Sequence, residues 1–537
     1  MTGRSQNQPI LPTNTTRRDS RRQSFLDYGG VNSLNNFASS YSRAQQYLGS
    51  SLIEQGGNYM DQALISSSPS ENSVNTQENE PGEFSENYPT INFRPTFVSS
   101  DTEESSNNNE TTSLLPVISR TSTSTARKHS FSIITGNSTS PQTIFNSINT
   151  LVGIGMLSLS YGFRLSGWIY GSILLIVSAT LTSITAKYLG RILRNRPHLM
   201  TYADISREFG GTKFSYFVTF FFIIDLFGAS LTLIILFADC FSMIWSNVVG
   251  LKIILVTILF FLSLLPLNLL SFLSLFGILA TVGIIVIIFI CGFIIPTSPG
   301  SLLSPSPTTT LLPPHPIHLL LSLGIMMAPF GGHPIFPEIA RDMRHPSKYP
   351  HTTNISFLIT FILDYTIAIV GYLMYGSSVD DSIIKSILNN PRSPRSINAM
   401  LCLLMGVLPV SKLPLITKPI ITSYENIMGI TEKYVSLDQK RTMVVDTYGM
   451  GRILARVGFM GFLLVSSLVF TSFGKMIAFL GSAICYTVCL TLPLLFYLRL
   501  NKDEVGEVKG WVIRVGIVCS IICAVLGSFA SITLNVD

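Results

Sequence analysis

Charge is scarce in this chain of 537 residues: Asp, Glu, Lys and Arg together supply 12% of it, against 47% apolar residues and a mean hydropathy of +0.44. Soluble domains carry roughly a quarter of their residues as charges, so the composition excludes an ordinary soluble protein and implies one integral to a membrane. The charges that remain gather in the first third and in short basic clusters, which argues for one polytopic domain behind a polar tail. A net charge of +6 suits topology signals in such a chain, not a nucleic-acid footprint.

Other absences narrow the function. The cysteines at 240, 291, 402, 485, 489, 519 and 523 all fall within or beside apolar segments, so no disulfide framework is expected. Cys485/Cys489 and Cys519/Cys523 have helical i,i+4 spacing, but no His or carboxylate stands near them, which favours packing over a metal site. No phosphate-cradling Walker loop appears, which argues against an ATP-driven pump. Neither a catalytic Ser/His/Asp arrangement nor a cofactor motif is present, so no enzyme and no cofactor are expected. The start, "MTGRSQNQPILPTNTTRRDSRRQS", lacks a hydrophobic run, so the first apolar segment is expected to act as the insertion signal and leave the tail in the cytosol.

Residues 1–140 are rich in Ser, Thr, Asn, Gln and Glu and are expected to be mostly disordered, because they offer too little apolar surface to offset ordering entropy. "RRDSRRQS" sets Arg pairs before Ser20 and Ser24, a pattern that suits a basophilic kinase and also arises by chance in polar tails. "ETTSLL" places Glu110 before Leu114 and Leu115, similar to the acidic dileucine signals read by vesicle-sorting adaptors. Leu34, Phe37, Tyr41, Ala44 and Leu48 form the stripe of a short amphipathic helix near 33–48, either docked on the cytosolic face of the membrane domain or transient.

The transmembrane domain, 141–537, holds about eleven apolar segments of spanning length: 143–163, 167–190, 215–243, 251–268, 271–295, 317–337, 352–375, 397–422, 452–472, 474–498 and 511–534. The turn near Pro266 is the weakest boundary. With eleven alternating spans, the basic clusters at Lys187–Lys213, Arg341–Lys348, Lys433–Arg452 and Arg499–Lys509 share one side with the tail. The positive-inside rule then puts the N-terminus in the cytosol and the C-terminus on the far side. The Lys385–Arg395 loop fits that scheme least well, although Asp380 and Asp381 partly balance it.

Two spans are interrupted. The first reads "NTLVGIGMLSLSY" and the sixth "GIMMAPFGGHPIFPEIARDM", with Pro329, Gly331, Gly332, Pro334 and Pro337. Broken helices survive at membrane depth only where they line a cavity or are buried in protein, and a pair in first and sixth place points to an inverted-repeat transporter. Half-helix ends offer N–H groups to a carboxylate and carbonyls to an ammonium, a combination that suits a zwitterion such as an α-amino acid. Ionisable groups inside spans are costly and therefore candidates for coupling. Asp225 and Asp239 lie in the third span and Asp364 in the seventh, Asp225 and Asp364 being the deeper; each is either a proton carrier or a structural polar contact. For His333, a ring donor satisfying a freed carbonyl is the expected role, with pH sensing the alternative.

"FNSINTLVGIGMLSLSYGFRLSGW", "LIILFADCF" and "MMAPFGGHPIFPEIARDMRHPSKY" resemble the amino acid/auxin permease family, and specifically its fungal vacuolar amino acid transporter branch, over roughly residues 141–537. The resemblance implies an all-α fold of eleven spans, LeuT-like with a five-plus-five inverted repeat. It implies substrate contacts from Asn149, Thr150, Gly153, Ile154, Gly155, Met156, Pro329, Phe330, Gly331 and Gly332, mostly through backbone atoms. In sodium-coupled members of that fold the eighth helix lines an ion site with the first, so Lys412 is expected to replace sodium, or alternatively to pair with an acid such as Asp225. The function implied is proton-coupled transport of neutral amino acids across the vacuolar membrane, most simply inward by proton antiport. Export by symport, and an amino-acid sensor signalling through the tail, remain as alternatives.

Overall fold

The computed structural model describes residues 32, 34–46, 136–265, 267–428, 433–438, 441–445 and 449–534. Ser20, Ser24, Leu48, Glu110, Leu114, Leu115 and Pro266 lie outside the described residues.

Every expected apolar segment forms a helix. The first crossing comprises Ser140–Leu151, a tight turn at Ile154–Ser158 and the opening turns of Leu159–Asn195; the second crossing is the rest of that helix. The chain changes direction between them at Gly167, whose φ of 72° lies in the left-handed region where a side chain is disfavoured. The third, fourth and fifth crossings are Tyr202–Phe241, Val248–Ser263 and Leu267–Ile294. The sixth is split into His318–Met327 and Phe336–Arg341, and the seventh is Tyr349–Tyr375. Arg395–Ile427, Gly449–Val469, Phe473–Leu500 and Glu507–Thr533 bring the crossings among the described residues to eleven, formed by eight helices long and apolar enough to span a membrane, one of which holds two crossings, and by shorter helical pieces.

Two boundaries depart from the sequence reading. The third helix begins at Tyr202, not near 215, because Thr201 and Asp204 cap it reciprocally: the Asp204 N–H donates to Thr201 Oγ1 at 3.0 Å and the Thr201 N–H to Asp204 Oδ2 at 2.9 Å. Arg207 and Lys213 are therefore helical, and the helix bends at Gly211, where φ is 77°. The basic segment after the eighth crossing contains an antiparallel pair of short strands, Lys433–Asp438 and Arg441–Val445, with an irregularity between Ser436 and Asp438. Helical hydropathy patterns carry no signal for such a hairpin.

The interior and exterior are inverted relative to a soluble protein. Ser158, Ser160, Thr182, Thr360 and Asp364 are fully buried, while Ile173, Phe220, Phe261, Phe293, Val465 and Phe529 are exposed. In water such an apolar exterior would drive association; facing lipid it is the favoured arrangement.

Leu34–Gln46 is helical and packs at the end of the bundle where the first crossing begins. Tyr41 and Ala44 are buried, and Phe37 and Tyr41 meet Phe145 edge-on, with ring centroids 6.2 and 6.1 Å apart. The Tyr41 hydroxyl shares a 2.6 Å hydrogen bond with Ser274 of the fifth crossing, and Asn146 Nδ2 of the first crossing donates to Ser40 Oγ at 2.9 Å. Arg43 pairs with Asp342 just after the sixth crossing, and Ser138 joins both Ser40 and Asp342. One short helix thus touches three separate parts of the membrane domain.

Candidate substrate and coupling site

The breaks follow from local chemistry. In the first crossing the regular helix ends at Leu151, Val152 and Gly153 adopt extended backbone, and a tight turn resumes at Ile154. In the sixth, the helix ends at Met327, Ala328–Phe330 forms a single tight turn, and Gly331 to Ile335 are non-helical before Pro337 opens the next helical segment. The first N–H groups after a break and the last carbonyls before it have no partner along their own helix.

The two breaks touch. A Cβ on Gly155 would lie 3.1 Å from the Pro329 nitrogen and 3.3 Å from its Cα, and one on Gly332 would lie 3.1 Å from Thr150 Cγ2 and from a Leu151 methyl. Glycine at 155 is what allows backbone to approach backbone. Gly153 differs, because a Cβ there would meet only the Leu151 carbonyl, at 4.0 Å. Its φ of −137° is open to any residue, so neither packing nor conformation requires glycine at 153.

The structure brings Thr150, Gly153, Ile154, Gly155, Met156, Pro329, Gly331 and Gly332 to this junction, with Cys485 of the tenth crossing beside Gly331. Phe330 is fully buried and packs on Phe357 of the seventh crossing, centroids 6.3 Å apart. Asn149 lies near Tyr41 of the tail helix, and Thr150 Oγ1 donates to the Asn146 carbonyl of its own helix at 2.9 Å. The Ser158 hydroxyl also bonds back within its helix, to the Gly155 carbonyl at 2.8 Å. Ser160 reaches across to the Ile367 carbonyl of the seventh crossing at 3.1 Å.

The ionisable candidates stand on three different walls. Lys412 Nζ donates to the Val152 carbonyl, in the break of the first crossing, at 3.4 Å. It is carried by a helix with three internal prolines, Pro409, Pro414 and Pro419, each of which removes one backbone hydrogen bond. Asp364 is fully buried, and neither of its oxygens has a hydrogen-bond partner; Thr360 Oγ1, one turn earlier on the same face, has none either. Asp225 faces the Cys485/Cys489 pair of the tenth crossing and forms no ion pair with Lys412.

His333 sits within the sixth-crossing break. Its Nε2 is 3.1 Å from the Thr182 carbonyl and 2.9 Å from Thr185 Oγ1. A carbonyl only accepts, so Nε2 carries the proton, and Nδ1 has no hydrogen-bond partner of its own. The proximity of Asp225 to the Cys485/Cys489 turn, and of that turn to His333, was not legible in the sequence, because nothing along the chain ties the third, sixth and tenth crossings together. Among the described residues, no three His, Cys, Asp or Glu side chains converge closely enough to hold a metal ion.

At the end of the bundle opposite the tail helix, a cavity of about 200 Å³ is lined by Tyr161, Arg164, Asp380, Asp381, Lys385 and Lys475. Asp381 accepts from the Gly474 N–H at 3.2 Å and lies 3.5 Å from Lys385 Nζ, while Arg164 donates to the Val379 carbonyl at 2.8 Å. Partial burial works to lower the Lys385 pKa, but Asp381, Asp239 and Asp380 outweigh it and hold the ammonium above its ordinary value.

Residues 136–534 match the transmembrane amino acid transporter protein family. The chain belongs to that family. It is a multi-pass membrane protein of amino acid transport, not an enzyme. Among relatives in Arabidopsis thaliana, the amino acid transporter AVT1H is 28% identical, over 74% of this chain and 91% of its own length. Amino acid transporter AVT1D is 26% identical, over 73% of this chain and 69% of its own. A crystal structure of MhsT in complex with L-phenylalanine superposes with a TM-score of 0.41 at 11% identity, over 71% of this chain and 98% of that one.

Proposed function

We propose that this family member is a proton-coupled secondary transporter of neutral amino acids in the vacuolar membrane, loading the vacuole by proton antiport, with its N-terminus cytosolic and its C-terminus lumenal. The observation that carries the reading is the contact of the two interrupted crossings at Gly155 and Pro329, with Lys412 bonded to the carbonyl of Val152 beside it. The open space at Gly153 adjoins that contact.

In this reading the substrate carboxylate takes the unpartnered N–H groups that begin the turn at Ile154, and the ammonium takes carbonyls freed by the two breaks. The Lys412 cation beside the break repels a substrate with a cationic side chain and makes a bound sodium ion unnecessary. Asp364, buried and without a hydrogen-bond partner, carries the coupling proton. Broken helices in first and sixth place suit a LeuT-like inverted repeat, in which one bundle rocks about a central site. The names of the AVT1 relatives favour amino acid cargo, and the basic clusters shared with the tail side favour the orientation.

The test is uptake of labelled amino acids into sealed vacuolar vesicles with the proton gradient imposed, collapsed and reversed. Uptake driven by ATP and abolished by a protonophore supports antiport. Release from preloaded vesicles on imposing the gradient, without uptake, replaces it with symport export. No flux in either direction overturns the transport reading in favour of a sensor.

A further inference from the structure

We propose that the cleft between the end of the second crossing and the start of the seventh is a binding site for a phosphorylated anionic lipid headgroup in the leaflet on the tail-helix side. The cleft has a volume of about 270 Å³ and is lined by Lys187, Tyr188, Arg191, Arg194, Pro346 and Tyr349 among others. The three cations follow at i, i+4 and i+7, so they share one helical face.

That same face, followed toward mid-membrane, carries Ile184, Leu181, Val177, Ile176 and Ile173, and the last four are exposed. A lipid-facing apolar stripe therefore runs directly into a basic cluster where the helix leaves the hydrocarbon. An acyl chain on the stripe and a phosphate in the cleft fit one and the same molecule, which favours a lipid over a soluble anion.

The cluster is built, not merely charged. Tyr188 and Tyr497 stack with centroids 4.1 Å apart, and the Tyr497 hydroxyl accepts from Arg191 at 3.0 Å and from Lys509 at 2.8 Å. The Lys509 ammonium also lies over both rings, 5.3 Å from the centroid of Tyr188 and 4.6 Å from that of Tyr497. Lys187 is steered by Asn354 Oδ1 at 2.8 Å. The carboxylate that faces Arg191 and Arg194 is Glu504, which accepts from the Asn195 amide at 2.7 Å. Among the described residues, Lys187, Arg191, Arg194 and Lys509 gather here against the largely solvated Glu504, an excess of positive charge that suits a polyvalent oxyanion.

The inference needs only that the chain spans the membrane; it does not depend on the direction of transport. The test uses the full-length protein reconstituted in three ways: in phosphatidylcholine vesicles, in the same vesicles with a phosphatidylinositol phosphate in both leaflets, and in phosphatidylcholine vesicles with soluble inositol trisphosphate added. The thermal unfolding midpoint is expected to rise, saturably and in a salt-sensitive way, with the phosphoinositide vesicles, and to rise less with the soluble compound. Arg194→Gln and Lys187→Gln should each weaken the half-saturating dependence roughly tenfold, while Arg194→Lys should retain most of it. Arg194 is solvent-exposed, so its substitution leaves folding intact. An equal response to soluble inositol trisphosphate would keep the phosphate chemistry but overturn the lipid as its source. No response to either, or a response unchanged in Arg194→Gln and Lys187→Gln, overturns the site.

Discussion

Arg43 Nε lies 3.2 Å from a carboxylate oxygen of Asp342, so a single ion pair fastens the tail helix to the segment that leaves the sixth crossing. The same helix holds the first crossing through Asn146 and the fifth through Ser274. On the proposed rocking mechanism, elements that would separate to open the bundle at this end are tied together by one short peptide. Arg43→Ala is expected to ease that opening. The pair is partly exposed, so the gain is about 1 kcal/mol, or roughly fivefold in transport rate. Initial uptake rates of matched vesicle preparations check this, and an unchanged or lower rate would mean that the tail helix is only an ornament of the closed end.

Gly153 and Gly155 should behave differently although they are two residues apart. Gly155→Ala forces a Cβ to within 3.1 Å of the Pro329 nitrogen, and overpacking of this kind costs about 1–3 kcal/mol. Its unfolding temperature is expected to fall. Gly153→Ala meets open space, so its stability should match the parent while the KM for amino acid rises if, as proposed, the substrate occupies that space. Thermal unfolding and uptake kinetics on the two variants separate packing from binding; a KM unchanged in Gly153→Ala argues against a substrate there.

Lys412→Met keeps length and bulk but withdraws the ammonium from the Val152 carbonyl. Leaving that carbonyl without its partner costs about 1–3 kcal/mol, so transport should fall roughly tenfold to a hundredfold. If the cation stands in for sodium, added sodium should restore part of the loss. Uptake with sodium or with choline as the sole added cation measures it, and full activity in both media would remove Lys412 from the coupling machinery.

Asp364→Asn replaces the carboxyl, whose oxygens have no hydrogen-bond partner, by a neutral group of the same shape. The protein should fold as before, and exchange of labelled for unlabelled amino acid should continue. Accumulation driven by a proton gradient should be lost. Retention of gradient-driven accumulation would assign the proton elsewhere, with Asp225 the next residue to examine.

The crossings were legible because lipid imposes a crude rule, a long apolar run, and the interruptions were legible because glycine and proline cannot hide in such a run. Gly155, Pro329, Gly331 and Gly332 could be nominated from sequence for that reason. The reach of Lys412 to Val152 spans 260 residues and followed only from the resemblance to a known family. The extension of the third helix back to Tyr202 leaves no trace in hydropathy, because its first turns are polar and depend on a cap. The contact of Asn146 with Ser40 joins segments 106 residues apart, and no pattern of apolar residues reveals it. Periodicity reports which face of a helix is buried; it does not report what covers it.

The three prolines of the eighth crossing have a mechanical consequence. Pro409, Pro414 and Pro419 leave the carbonyls of Met405, Val410 and Leu415 without their usual helical donors. A bend at those three points costs fewer helical hydrogen bonds than a bend in an uninterrupted helix. On the proposed mechanism Lys412, mounted on that stretch, would keep its grip on Val152 while the first crossing tilts, and its charge would travel with the moving element instead of being left behind.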